Sequence, residues 1–302
     1  NELIVTRTAE AVEQLVDIEI ALVLDVSGSM GGSKIADLRD AAQDFVNTVL
    51  GQDRFEYTSL SVIPYNGGVR LPETVNDALI QGAPAYRRQS GCADYETDYP
   101  VDFQLPDNEP DWLEWNAQDM VGSRSSAFCP AEDMESVFLL ADKDALNDMI
   151  GGLVASGNTG LDVATAWGVR ALDPNWRGRL GGDFPDRPVD WETEDTLKVL
   201  VVMTDGAATA QIRTRWENNR WRTFNMYSAS QARSNMLDAC DYAKDNGVAI
   251  YTIAFQVSGS TNRNLMRDCA TTAGNFYNVE NTDIGAAFSA IAGEINKLRL
   301  RQ

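Results

Sequence analysis

The chain contains no histidine. That absence excludes Ser-His-Asp triads, Cys-His pairs, HExxH zinc sites and histidine-ligated haem. Basic residues are scarce: 25 Lys and Arg stand against 45 Asp and Glu, a net charge of −20. Such a balance does not suit nucleic acid, whose phosphates reward dense Lys and Arg. Long apolar runs are missing too. The longest nearly unbroken ones, Ile18–Leu24 and Val199–Met203, fall far short of the ~20 residues of a spanning helix. The first residues show no basic start followed by an apolar stretch, so the expectation is either a soluble intracellular protein or one whose export segment has been removed from this chain. Only four cysteines occur, and none forms a CxxC pair, which argues against a redox motif or a zinc knuckle.

Hydrophobic residues make up 44% of the chain and charged ones 23%, a composition able to build a packed core. Apolar runs and helical periods alternate. Ile18–Leu24 reads as a strand buried on both faces, followed by a glycine-rich turn and a helix capped by Ser33, with Gly51 after it. Phe55–Tyr65 alternates loosely, as an exposed edge strand would. Leu161–Leu172 is helical in pattern, Leu197–Met203 is a second buried strand, Ser228–Asn246 is a helix and Val248–Phe255 a third strand. In the last helix Ile284, Phe288, Ile291, Ile295 and Leu298 recur at steps of four and three. The expected fold is α/β: a doubly wound, mainly parallel sheet with helices on both faces, residues 1–302 forming one domain.

Two stretches break the alternation. Residues 66–140 form an expected irregular insertion. Seven of the ten prolines lie between positions 64 and 130, and Glu73–Glu135 holds 14 acids against three arginines. This stretch is either ordered and stapled by a disulfide or disordered. Residues 173–195 form a second irregular insertion. The cysteines are either buried thiols or, the reading preferred here, two disulfides of an oxidising compartment. Of the three possible pairings, Cys92 with Cys129 would close the insertion on itself. Cys240 with Cys269 would tie the helix before the Val248 strand to the segment after it.

In an open parallel sheet, ligands collect beyond the carboxyl ends of the strands. Asp25 and Asp205 both end apolar strands. Asp25-Val-Ser27-Gly-Ser29 sets a carboxylate and two hydroxyls at alternate positions in a turn. Asn158-Thr159-Gly160 offers another hydroxyl, and Thr204-Asp205-Gly206 a second carboxylate. Oxygen-only donors of mixed charge suit a hard cation, Mg²⁺ first, with Ca²⁺ or Mn²⁺ as alternatives. DxSxS alone also fits an ordinary strand-to-helix turn.

Asp25-x-Ser27-x-Ser29, Thr159 and Asp205, in that order on an alternating chain, resemble the metal-ion-dependent adhesion site of the von Willebrand factor A domain. The likeness covers about residues 15–65 and 140–300. It implies that Ser27 and Ser29 bind the ion directly. Asp25 and Asp205 would sit in or just behind its shell, and Thr159 would bind directly or through water. Glu19–Met30 with Gly32–Ile35, Tyr251–Phe255, Cys269-Ala270 and Leu298–Gln302 further resemble the TadG-type proteins of the tight-adherence (Flp) pilus system. Those often carry an N-terminal membrane anchor, which is not visible in this chain. The resemblance implies a periplasmic, cell-surface or secreted protein acting in pilus assembly or structure. It would bind a protein partner that supplies an Asp or Glu carboxylate to the metal. A secreted adhesin is the alternative. An enzyme is not expected: Ser27 stands where a haloacid dehalogenase-type phosphatase needs its second carboxylate, and no nucleophile elbow or P-loop occurs.

Residues Gln211–Phe224 reverse the local charge, with Arg213, Arg215, Arg220 and Arg222 beside Trp216 and Trp221 against one acid, Glu217. The stretch is either a solvated loop whose tryptophans pack on the body or a recognition rim on the metal face, since Trp and Arg dominate binding hot spots.

Overall fold

Strands β1 (Asp17–Asp25) and β6 (Thr196–Thr204) run parallel and adjacent at the middle of an eight-stranded sheet. The computed structural model describes residues 16–51, 57–75, 92–93, 129–217 and 220–299. Beyond β6 lie β9 (Ala249–Phe255) and then β10 (Phe276–Val279), all parallel. Beyond β1 lies β2 (Thr58–Tyr65), also parallel. Three short strands then pair antiparallel: β3 (Val69–Arg70) on β2, β4 (Cys92–Ala93) on β3, and β5 (Val137–Leu140) on β2.

Both faces of the sheet are covered, which is why its central strands read as continuous apolar runs. β1 sends Ile18, Ile20, Leu22 and Leu24 into one core and Ala21 and Val23 into the other. The first core is closed by α1 (Ser33–Val49), α2 (Lys143–Gly151) and α6 (Ile284–Arg299), where Phe45 meets Phe288 edge-on at 5.9 Å. The second is closed by α3 (Leu161–Arg170), α4 (Ala229–Asp245) and α5 (Ser260–Cys269). Helix α3 lies directly on the strands at Gly168. A Cβ there would stand 2.6 Å from Val23 Cγ2 and 2.7 Å from Leu200 Cδ1, so a larger residue would displace the helix or those side chains. The doubly wound α/β architecture read from the sequence is the one present.

Several local expectations need correction. β2 is buried along its whole length, not an exposed edge, because β1 flanks it on one side and β3 and β5 on the other. Ser33 is the first residue of α1; the cap is Gly32, at φ +81°, with no side-chain bond. The stretch 66–140 is not wholly irregular, since β3, β4 and β5 extend the sheet into it; residues 76–91 and 94–128 lie outside those described. The stretch 173–195 has one 3₁₀ turn, Pro174–Trp176, and is held by buried charge. Lys198, on β6, donates to Glu19 Oε2 on β1 at 2.5 Å and to the Leu172 carbonyl at 2.8 Å, while the Val189 amide donates to Glu19 Oε1 at 2.8 Å. Arg187 donates to the Ile18 carbonyl and Ser59 Oγ and pairs with Asp17 at 3.3 Å. A disulfide joins Cys240 in α4 to Cys269 at the end of α5, with the Cα atoms 5.2 Å apart. Cys129 is buried and disulfide-bonded; the Cys92 side chain lies outside the described residues. No helix among the described residues is long and apolar enough to cross a membrane.

Candidate metal centre

β1 delivers Asp25 to the carboxyl edge of the sheet, fully buried. Its Oδ1 accepts from the Ser27 amide at 2.8 Å and its Oδ2 from Thr204 Oγ1, the last residue of β6, at 2.7 Å. The carboxylate thus shapes the turn that follows it. In that turn Ser27 Oγ lies 3.0 Å from Ser29 Oγ, and Ser29 Oγ donates to Asp205 Oδ1 at 2.6 Å. Lys34, in the first turn of α1, donates to the other oxygen, Asp205 Oδ2, at 2.6 Å. Gly28 donates to the Gly157 carbonyl at 2.9 Å, which brings the 157–160 loop alongside.

Thr159 completes the set. A Cβ built on Gly206 would stand 3.5 Å from Ser29 Oγ and 3.7 Å from Thr159 Oγ1. The glycine therefore leaves a small cradle bordered by hydroxyls from two different loops. All five residues singled out in the sequence converge here: four through hydrogen bonds, and Thr159 by proximity. Among the described residues no group of three or more His, Cys, Asp and Glu comes together. A cation here would rest on hydroxyls and two carboxylates, and the donor chemistry fits a hard divalent ion. The ammonium of Lys34 already sits against Asp205, a further sign that the cluster draws positive charge.

Burial, followed by the neighbouring Asp205 charge, pushes the Asp25 carboxyl up to about 6 against the opposing hydrogen bonds of Ser27 and Thr204. Tyr65, beneath the site, donates to the Met203 carbonyl at 3.1 Å, and its phenol is pushed well above the usual range by burial and then by Asp25. Two neighbouring buried carboxylates repel one another, and a cation relieves that repulsion. Thr204, Tyr65 and Lys34 escaped the sequence reading. Two of them carry a signal in the sequence: Thr204 adjoins Asp205, and Lys34 is a cation in the first turn of the helix after DxSxS.

The arginine-rich stretch is an antiparallel hairpin, not a loop: β7 (Gln211–Glu217) pairs with β8 (Arg220–Tyr227). Its register sets Arg215 opposite Arg222 and Trp216 opposite Trp221. The side chains of Arg213, Arg215, Trp216, Arg220, Trp221 and Arg222 lie outside the described residues. Its root reaches the site: the Thr209 amide and hydroxyl both donate to the Thr159 carbonyl at 3.0 Å.

At that root, fully buried Asp162 accepts from Tyr227 OH at 2.6 Å. Burial pushes its carboxyl up to about 6 from an ordinary 3.8, against hydrogen bonds from Tyr227, Val163 and Gln211. The folded state then holds the proton more tightly than the unfolded one. Asp162 favours folding fully below its unfolded pKa and loses that contribution as pH rises through about 6. Relative to Asp162→Asn, the wild type should lose on the order of 1 kcal/mol of unfolding free energy between pH 5 and pH 8. Urea denaturation at both pH values checks this, and a pH-independent difference would show that Asp162 does not titrate in that range.

No family model matches the chain, and no curated protein matches it in sequence. In three dimensions it is similar to the von Willebrand factor domain of the type V pili tip protein Mfa5 from Porphyromonas gingivalis. The identity is 14%, with 96% of this chain and 98% of that one covered and a TM-score of 0.55. It is also similar to the pilus adhesin SpaC from Lactobacillus rhamnosus GG (15% identity, 94% and 30% covered, TM-score 0.52). A third likeness is to the PilB minor pilin from Streptococcus sanguinis (12% identity, 95% and 63% covered, TM-score 0.52). The chain thus spans under a third of the adhesin and under two thirds of the minor pilin. At such identities likeness speaks for the fold alone, and the fold is that of a von Willebrand factor A-type domain.

Proposed function

We propose that this chain is a divalent-cation-dependent protein-binding domain acting at the bacterial cell envelope or outside it. We place it in pilus assembly or structure, of the tight-adherence type. The observation that carries the reading is the convergence of Asp25, Ser27, Ser29, Thr159 and Asp205 at the ends of the two central strands. Bound there, Mg²⁺, or Ca²⁺ or Mn²⁺ in its place, would supply an electrophilic centre for an Asp or Glu oxygen of a partner. Ser27, Ser29 and Thr159 contribute neutral oxygens. Asp25 holds the turn in shape through the Ser27 amide, and Asp205 orients Ser29. Three neutral donors and two carboxylates leave room for an anionic ligand from outside. The net charge of −20 would repel an acidic partner at long range, but salt at physiological strength screens that repulsion beyond about 8 Å. The hairpin with Arg213, Arg215, Trp216, Arg220, Trp221 and Arg222 would flank the incoming acid.

The fold likeness to pilus proteins and the disulfide Cys240–Cys269 support an exported setting. A binding domain is favoured over an enzyme because the solved structures of like fold are a pilus tip protein, a pilus adhesin and a minor pilin.

Capture of the partner from native envelope extract or culture fluid on immobilised protein tests the reading. Capture should hold in millimolar Mg²⁺, collapse with EDTA and return with Mg²⁺. It should weaken about tenfold for Arg220→Ala with Arg222→Ala, the scale of a moderate hot spot. Recovery of pilus subunits would support assembly, and recovery of a host or surface ligand would shift the reading to an adhesin. Capture unchanged by EDTA would place recognition elsewhere on the molecule.

A further inference from the structure

The hairpin has two roots, Gln211 opening β7 and Tyr227 closing β8, and they face each other in register. Both reach the same buried carboxylate: Tyr227 OH donates to Asp162 Oδ2 at 2.6 Å, and Gln211 Nε2 lies 3.5 Å from Asp162 Oδ1. Asp162 sits in the first turn of α3, three residues after Thr159. A second tie runs beside it. The Thr209 amide and hydroxyl donate to the Thr159 carbonyl, and the Thr159 amide lies 3.2 Å from Thr209 Oγ1.

These contacts have no slack. The Gly160 amide donates to the Asn66 carbonyl at 2.5 Å. A Cβ on Gly160 would stand 2.4 Å from the Gly67 carbonyl oxygen and 2.6 Å from Gln211 Nε2. The Thr159 loop, the turn after β2 and the hairpin root are therefore packed as one body. Close-packed interiors pass a displacement on rather than absorb it.

We infer that Asp162 is a positioning residue that couples the arginine-rich hairpin to the metal centre, so that the cation and a ligand on the hairpin bind cooperatively. The inference rests on the metal reading above and adds its regulation. A shift of Thr159 towards the cradle reaches the hairpin through Thr209 and through the first turn of α3. By linkage the effect is reciprocal: whatever fixes the hairpin raises cation affinity by the factor that the cation raises affinity at the hairpin.

The test uses Mg²⁺ alone as the probe on the whole chain. Hydrogen exchange of hairpin amides 211–227 is followed with and without Mg²⁺, in wild type, Tyr227→Phe and Asp162→Asn, with Mg²⁺ binding measured in parallel by calorimetry. Tyr227→Phe keeps the ring and removes only the donor, and a thermal melt confirms that it folds. In wild type Mg²⁺ should slow hairpin exchange about tenfold. In both variants Mg²⁺ should still bind while the hairpin response falls to less than twofold. Binding in wild type with no change in hairpin exchange would overturn the coupling and leave the metal reading standing. An equal response in wild type and both variants would overturn the role of Asp162. Absence of Mg²⁺ binding in wild type would sink the metal reading, and the coupling with it.

Discussion

Asp205→Ala should lower Mg²⁺ affinity at least 100-fold and abolish partner capture, with the thermal unfolding midpoint shifted by only a few degrees. The affinity loss follows from charge. Two carboxylates serve the cluster, and a unit charge pair at about 4 Å is worth roughly 4 kcal/mol at the effective dielectric of a protein surface. The small stability change follows from compensation. Alanine gives up the Ser29 hydrogen bond and the Lys34 ion pair, but Lys34 can turn to water, and Asp25 loses the like charge that helps push its pKa up. Strand β6 keeps Val199–Met203 buried on both faces. Calorimetric titration and a thermal melt read the two effects separately. Mg²⁺ affinity within tenfold of wild type would remove Asp205 from the site.

At the opposite end of the same two strands, Lys198→Met should cost about 3–5 kcal/mol of folding stability, the range for breaking a buried ion pair from one side. Glu19 would stay wholly buried with its negative charge and, among the described residues, one remaining donor, the Val189 amide. The Leu172 carbonyl would lose its ammonium, and the Trp191 ring would lose the cation 5.0 Å from its centre. Burial pulls the Lys198 pKa down, with Glu19 opposing, so desolvation of the ammonium outweighs the attraction of its partner. Glu19→Leu combined with Lys198→Met should therefore recover most of the loss, because two matched apolar side chains leave no charge stranded. Urea denaturation of the single and double variants decides. A single-variant loss under 1 kcal/mol would mean that water reaches Glu19.

Both sites hang on β1 and β6, and those strands were the plainest features of the sequence. Each face of the sheet has its own core, so Ile18–Leu24 and Val199–Met203 carry apolar side chains in both directions and need no alternation to be recognised. Helix α6 was equally clear, since its four-three spacing is a buried stripe. The five clustered oxygens were legible for the same reason: each follows directly on a strand or precedes a helix. What stayed hidden depends on contacts across long sequence distances. β2 looked like an edge because its covering strands β3 and β5 are only two and four residues long. Helix α5, Ser260–Cys269, is mostly polar and buries only Leu265, Met266 and Cys269. The hairpin's two-residue period is present, with Arg213, Arg215, Arg220 and Arg222 alternating with Thr214, Trp216, Trp221 and Thr223, but so dense a run of charge suits a solvated loop or a rim as well. Asp162 is not singled out by any pattern, because its hydrogen-bond partner Tyr227 lies 65 residues away.

The disulfide between Cys240 and Cys269 has a mechanical side. The bridge closes a loop of 29 residues that contains all of β9 and most of α5. Pulled taut, a free segment of that length would pay out about 100 Å of chain, at roughly 3.4 Å per residue. With the bridge in place the same segment transmits tension through two sulfur atoms, and its anchor points remain 5.2 Å apart at the Cα atoms. Force travelling along the chain past residue 240 therefore bypasses β9, the strand that supports β6 from the side away from β1. A domain loaded in that way can give elsewhere along the chain while β9, the strand beside β6, is shielded from the pull.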